Sequence, residues 1–98
     1  MQIIKEAIAG SLESSDLLVN IGPAPDGKLE IVLRSAVIKQ FGAQILQVVE
    51  DTLARMDVTS GSVVIEDKGA LDCVIRARVQ TATLRACGID HLAWEQLS

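Results

Sequence analysis

Asp67-Lys68-Gly69-Ala70-Leu71-Asp72-Cys73-Val74-Ile75-Arg76-Ala77-Arg78-Val79 is the stretch on which the fold turns, because two periods overlap in it. Leu71, Cys73, Ile75, Ala77 and Val79 alternate as a strand would, whereas Leu71, Ile75, Val79, Ala82 and Ala86 make a stripe at helical spacing. The flanks favour the helix. Asp67-Lys68-Gly69 has turn chemistry, Asp72 puts an acid in the first turn where the macrodipole is positive, and Arg85 followed by Gly88 suits a helix end. A helix beginning near Asp72 is therefore expected.

Upstream of it, Val63, Val64 and Ile65 within Ser62 to Glu66 read as a short strand. Before that the period is helical from Ala36 to Met56, where Ile38, Phe41, Ile45, Val48, Val49, Thr52, Leu53 and Met56 share one face. Gly42 falls beside Ile38 and Ile45, where a missing side chain lets the helix approach a sheet, against a propensity cost of ~1 kcal/mol. Lys39, Gln40, Gln47, Glu50, Asp51 and Arg55 make the other side, with Gln40, Gln47 and Asp51 facing water. Leu29, Ile31 and Leu33 alternate with polar or outward residues in a half-buried strand that ends at Ser35, a good N-cap residue. Gly22-Pro23-Ala24-Pro25-Asp26-Gly27 is the clearest loop. Leu17, Val19 and Ile21 alternate as a strand with one buried face, and Ile8 to Glu13 is weaker strand. Between them Glu13-Ser14-Ser15-Asp16 supplies a turn, so Ile8 to Ile21 is a candidate hairpin with Ser14 and Ser15 at its tip. Nothing in the sequence holds the lead-in Met1 to Ala7, and the tail Ile89 to Ser98 is without period, its Leu92 and Trp94 free to dock on the domain or on a partner. The expected fold is α+β: one small two-layer domain spanning 1–98, a mainly antiparallel sheet of about four short strands packed by two helices.

Ninety-eight residues, 49% apolar and 22% charged, suit one globular core built from Val, Ile, Leu and Ala, since Phe41 and Trp94 are the only aromatics. A net charge of -4 argues against a nucleic-acid backbone as partner, because phosphate neutralisation needs clustered Lys and Arg. No apolar run of about 18 residues indicates a membrane span, and Lys5 and Glu6 interrupt any signal-like segment, so a cytoplasmic location is expected. Cys73 and Cys87 lack the spacing of a redox pair or a zinc site. On one helix they stand roughly 21 Å apart, too far for a disulfide, and read as buried or partly exposed thiols.

Autonomous catalysis finds little support. Ser14 would need a base held by a third group, the only histidine is His91 in the tail, and no nucleophile elbow surrounds Ser14. Glycine loops of the nucleotide-binding kinds and metal-ligand clusters are absent from the sequence. The adjacent acids Glu50 and Asp51, and Glu66 and Asp67, read as solvated. Arg78 lies near the apolar stripe of the second helix, so it either snorkels or, with Arg76, makes a charge-assisted contact to a phosphate or a partner carboxylate.

Three segments taken together, Ala9-Gly10-Ser11-Leu12-Glu13-Ser14-Ser15-Asp16, Lys39-Gln40-Phe41-Gly42, and Asp67-Lys68-Gly69-Ala70-Leu71-Asp72-Cys73 with Arg76-Ala77-Arg78, closely resemble the acyl carrier (gamma) subunits of citrate lyase. The likeness runs over nearly the whole chain. It implies a non-catalytic carrier in which Ser14 is the cofactor-binding residue, linked through a phosphodiester to a covalently bound phosphoribosyl dephospho-coenzyme A arm whose thiol holds acetyl and then citryl. The implied partners are the alpha chain, which exchanges acetyl for citrate on the arm, the beta chain, which cleaves the citryl thioester, and a prosthetic-group transferase. Nucleic acid and membrane are not among them. The family pattern often has glycine after the modified serine; Ser15 departs from it and offers a second hydroxyl as acceptor. The malonate decarboxylase carrier resembles this chain more loosely, and a small assembly or regulatory module would show the same periodicities.

Overall fold

The structure is a computed structural model that describes residues 1–35 and 38–88. Among them are the strands β1 (Ala7–Gly10), β2 (Leu17–Gly22), β3 (Leu29–Ser35) and β4 (Gly61–Asp67), and the helices α1 (Ile38–Arg55) and α2 (Asp72–Ala86). The architecture is α+β, as the patterning predicts, with a four-stranded sheet in the order β1-β2-β4-β3. β1 and β2 form the expected hairpin, with Gly10 opposite Leu18, and β2 runs antiparallel to β4 with Leu17 opposite Asp67. The β3–β4 pair is parallel, Ile31 beside Val63 and Leu33 beside Ile65, because α1 carries the chain back before β4 begins.

Strict alternation explains which face is covered. Along β4, Val63, Ile65 and Asp67 are buried while Ser62, Val64 and Glu66 are half-buried, and Leu17, Val19 and Ile21 of β2 lie beside the same buried rows. Both helices pack on that face: Ile45, Val49 and Leu53 from α1 and Ile75, Val79 and Ala82 from α2 complete the core. Truncating one of these large side chains to alanine costs about 2–5 kcal/mol.

The ambiguous stretch is helical. The stripe wins because Ile75, Val79, Ala82 and Ala86 are all buried, whereas the intervening Cys73 and Ala77 are exposed. Gly88 terminates α2 with φ 78°, its N–H donating to the Arg85 carbonyl at 3.1 Å. The α1 end is a Schellman motif, in which Val58 N–H donates to Leu53 O at 3.0 Å and Asp57 N–H to Ala54 O at 3.1 Å.

Four expectations need correction. Phe41 is 49% exposed rather than in the core, since among the described side chains of α1 burial begins only at Ile45. Met1 to Ala7 is held in place: the terminal ammonium donates to Asp57 O at 2.8 Å, Ile4 and Lys5 N–H both donate to Ala86 O, and Ile3 is buried. Asp67 is buried and not solvated, for reasons given below. Cys73 is exposed outright, while Cys87 is half-buried and burial pushes its thiol pKa up. Gln47 and Asp51 do face water, joined by a 2.9 Å hydrogen bond one turn apart. His91, Leu92 and Trp94 lie outside the described residues.

Candidate functional site

The segment between β1 and β2 is Ser11 to Asp16. Its conformation starts at Gly10, whose φ of 93° is a left-handed value that favours glycine, and a Cβ there would collide with the Leu17 carbonyl. Ser11 N–H donates to that same carbonyl at 3.1 Å and closes the neck of the loop. Glu13-Ser14-Ser15-Asp16 is then a tight turn, with Asp16 N–H donating to Glu13 O at 3.2 Å. Ser15 takes φ 65° and Ser14 does not have positive φ, the pattern of a type II turn, whose third position suits glycine. The departure at Ser15 therefore leaves a non-glycine residue in αL, at a cost on the order of 1 kcal/mol.

Asp16 organises the loop. Its carboxylate accepts from the Ser11 hydroxyl at 2.7 Å and from Leu17 N–H at 2.8 Å. Arg78 adds a fork of two bonds, Nε to Oδ1 at 3.0 Å and Nη2 to Oδ2 at 3.2 Å, across 62 residues of sequence. The Arg78 stem passes over Gly10, where an added Cβ would sit 3.3 Å from its Cδ, so the small residue also makes room for the guanidinium to reach the loop. With its side chain only 16% exposed, Asp16 has its pKa lowered from 3.8 to about 2, chiefly by the Ser11 hydroxyl and then by Arg78, while desolvation opposes the shift.

A second tie comes from the turn after β4. Ser15 N–H donates to Lys68 O and Lys68 N–H to Asp16 O, both at 2.9 Å. That turn is in turn held by Asp67, which accepts from the Ser35 hydroxyl at 2.8 Å, from Gly69 N–H at 3.1 Å and from Ala70 N–H at 3.0 Å. Its burial follows, because three donors replace the water a carboxylate would otherwise keep.

Ser14 is exposed at the tip, and none of the loop's hydrogen bonds uses its hydroxyl. A serine presented on a backbone pinned on both flanks is suited to being modified by another protein. Of the other residues singled out from sequence, Arg78 neither snorkels free nor waits for an external anion, since its partner is Asp16 within this chain. Arg76 is exposed on α2 and is not part of the cluster. Sequence reasoning missed Ser11 and Asp16 as parts of the site; the available signal was a guanidinium near an apolar stripe, which demands a carboxylate from elsewhere in the fold.

A family model described as malonate decarboxylase delta subunit (MdcD) matches residues 4–86, which defines the broad class as that of acyl carrier-type subunits. Curated relatives narrow it. The chain is 64% identical over 97 residues to a citrate lyase acyl carrier protein of Cronobacter sakazakii, covering 99% of each chain. It is 60% identical over 97 residues to that of Pectobacterium atrosepticum, covering 99% of this chain and 100% of the other. Among solved structures, a chain of the crystal structure of a Pseudomonas malonate decarboxylase hetero-tetramer in complex with malonate superposes with a TM-score of 0.74 at 24% identity, covering 86% of each chain, a likeness of fold. The chain belongs to the citrate lyase acyl carrier protein family.

Proposed function

We propose that this chain is the acyl carrier subunit of a citrate lyase, a single carrier domain over residues 1–98 whose Ser14 Oγ bears a phosphoribosyl dephospho-coenzyme A arm through a phosphodiester. The arm supplies a terminal thiol on which acetyl and citryl are held as thioesters. The chain's own residues hold and present the anchor: Gly10, Ser11, Asp16 and Arg78 fix the loop from one side and Lys68 fixes it from the other. The arm fits this site because the Ser14 hydroxyl is exposed and spare, while the neighbouring Ser11 hydroxyl is committed to Asp16. That contrast selects the tip over Ser11; Ser15 is equally exposed, with only its backbone N–H engaged, and Ser14 is taken over it by its position in the segment that resembles the carrier family. No general base stands beside Ser14 among the described residues, so attachment is left to a prosthetic-group transferase, and acyl exchange and cleavage to the alpha and beta subunits of a hetero-oligomeric complex. A tether of this kind raises the thioester's effective concentration at both active sites without acids or bases from the carrier. The setting is cytoplasmic, in keeping with described helices none of which is long and apolar enough to cross a membrane.

Intact mass of the chain purified from cells that contain its maturation enzymes tests this. The expected result is a shift equal to the arm, absent in Ser14→Ala; a native chain without adduct overturns the reading. A malonate decarboxylase carrier is the second reading, favoured by the family model and by the structural likeness. An arm that accepts malonyl and is inert to citrate would decide for it.

A further inference from the structure

Between α1 and the segment leading into α2 lies an open groove of about 690 Å³, within the size range of small-molecule sites. Its lining includes Phe41, Gln44, Ile45, Gly69, Leu71 and Cys73. Two of these are large apolar side chains left bare by the fold, Phe41 at 49% and Leu71 at 69% exposure. The groove wall is linked to the hairpin tip through the backbone of Lys68. Lys68, bonded through its backbone to Ser15 and Asp16, is next in sequence to Gly69 in the groove wall, and Asp67 fastens that wall by accepting from Gly69 and Ala70 N–H. From Ser14 to Gly69 the path is one residue, one strand-like crossing and one residue, at most about 13 Å.

We infer that this groove receives the distal, thiol-bearing end of the arm carried by Ser14, parking the free thiol or the acetyl thioester against Phe41 and Leu71 when no other chain engages it. The inference rests on the proposed arm at Ser14. Tethering selects the arm over a free ligand, because an end anchored this close meets the groove at roughly millimolar effective concentration before any affinity is counted. The chemistry matches as well. A pantetheine-like end has amides, methyl groups and a small sulfur terminus, and the groove offers apolar walls with the Gln44 amide and Asp72 carboxylate at its edge. Charge makes the parking depend on the acyl group: acetyl is neutral, whereas the carboxylates of citryl meet Asp72 and a chain of net charge -4. The groove therefore holds the resting form and releases the loaded one, as a differential affinity requires.

Cys73, an exposed thiol in the groove wall, supplies the test. The holo chain, its arm verified by intact mass and left as the free thiol, is treated with diamide. The oxidant takes up the two electrons and two protons released as the arm thiol and Cys73 Sγ join in an intramolecular disulfide, which mass spectrometry maps. The control is Cys73→Ser with Asn20→Cys, which puts a thiol at an exposed position of the sheet. The expected result is cross-linking to Cys73 at least about tenfold faster than to the control thiol, falling toward the control rate in Phe41→Ser, whose exposed ring the core does not need. Equal rates on a chain that carries the arm overturn the parking and leave the carrier reading standing. A chain without the arm overturns both. Equal rates together with protection of Cys73 from alkylation only when the other subunits are added would assign the groove to a partner segment instead.

Discussion

Asp16→Asn tests the loop's construction, because it keeps the side chain's shape and removes the charge that Ser11 and Arg78 stabilise. A carboxyl pKa of about 2 in the folded chain against 3.8 ordinarily is equivalent to roughly 2 kcal/mol of folding stability. Arg78 leaves 43% of its side chain in solvent, so screening reduces this to about 1–2 kcal/mol. The sign follows from the direction of the shift. A depressed folded pKa means that the contribution is fully present above pH 3.8 and is lost as pH falls through about 2. Urea unfolding of the two chains should therefore differ by about 1–2 kcal/mol at pH 7, and the gap should narrow steadily between pH 4 and pH 2. A gap under ~0.3 kcal/mol at neutral pH, or one that does not change across that window, would refute the idea that the Asp16 charge holds the loop.

Other substitutions probe the same structure independently. Ser15→Gly relieves the αL residue and should leave the adduct in place while changing stability by no worse than ~0.5 kcal/mol downward and up to ~1 upward, read by denaturant midpoint. Gly10→Ala puts a methyl group into the Leu17 carbonyl and into the path of Arg78; a loss of more than about 2 kcal/mol is expected, together with weaker modification in a mass-monitored transferase assay. Thr83→Val replaces a fully buried hydroxyl that has no hydrogen-bond partner among the described residues, so thermal unfolding should move upward, by about 1 kcal/mol in stability. Ser14→Ala should stay within about 0.5 kcal/mol of the parent, because the hydroxyl holds nothing together.

Much of this architecture was legible because burial followed period. The alternation of Leu17, Val19 and Ile21 and the Ile75-Val79-Ala82 stripe each identified a covered face, and the turn residues 13–16 located the hairpin tip. The failures share a cause. Phe41 sits in register with the buried stripe of α1, yet the periodicity of a helix cannot say where along its length the sheet stops supporting it. Asp67 looked like a solvated acid because its three donors are two local backbone N–H groups and a hydroxyl from the neighbouring parallel strand. The Asp16–Arg78 fork joins residues that only the packing of α2 beside the hairpin brings together. The departure from glycine at Ser15 pointed the right way, since that residue does occupy positive φ.

The central claim is that Ser14, and not its neighbour, is the anchor. Fragmentation mass spectrometry of the native chain, digested so that Ser11 to Asp16 lies in one peptide, reads this directly. The arm's phosphodiester is expected on Ser14 in every modified peptide, with Ser11 and Ser15 bare; a phosphodiester on Ser15, or an unmodified peptide from cells that contain the transferase, would contradict the assignment.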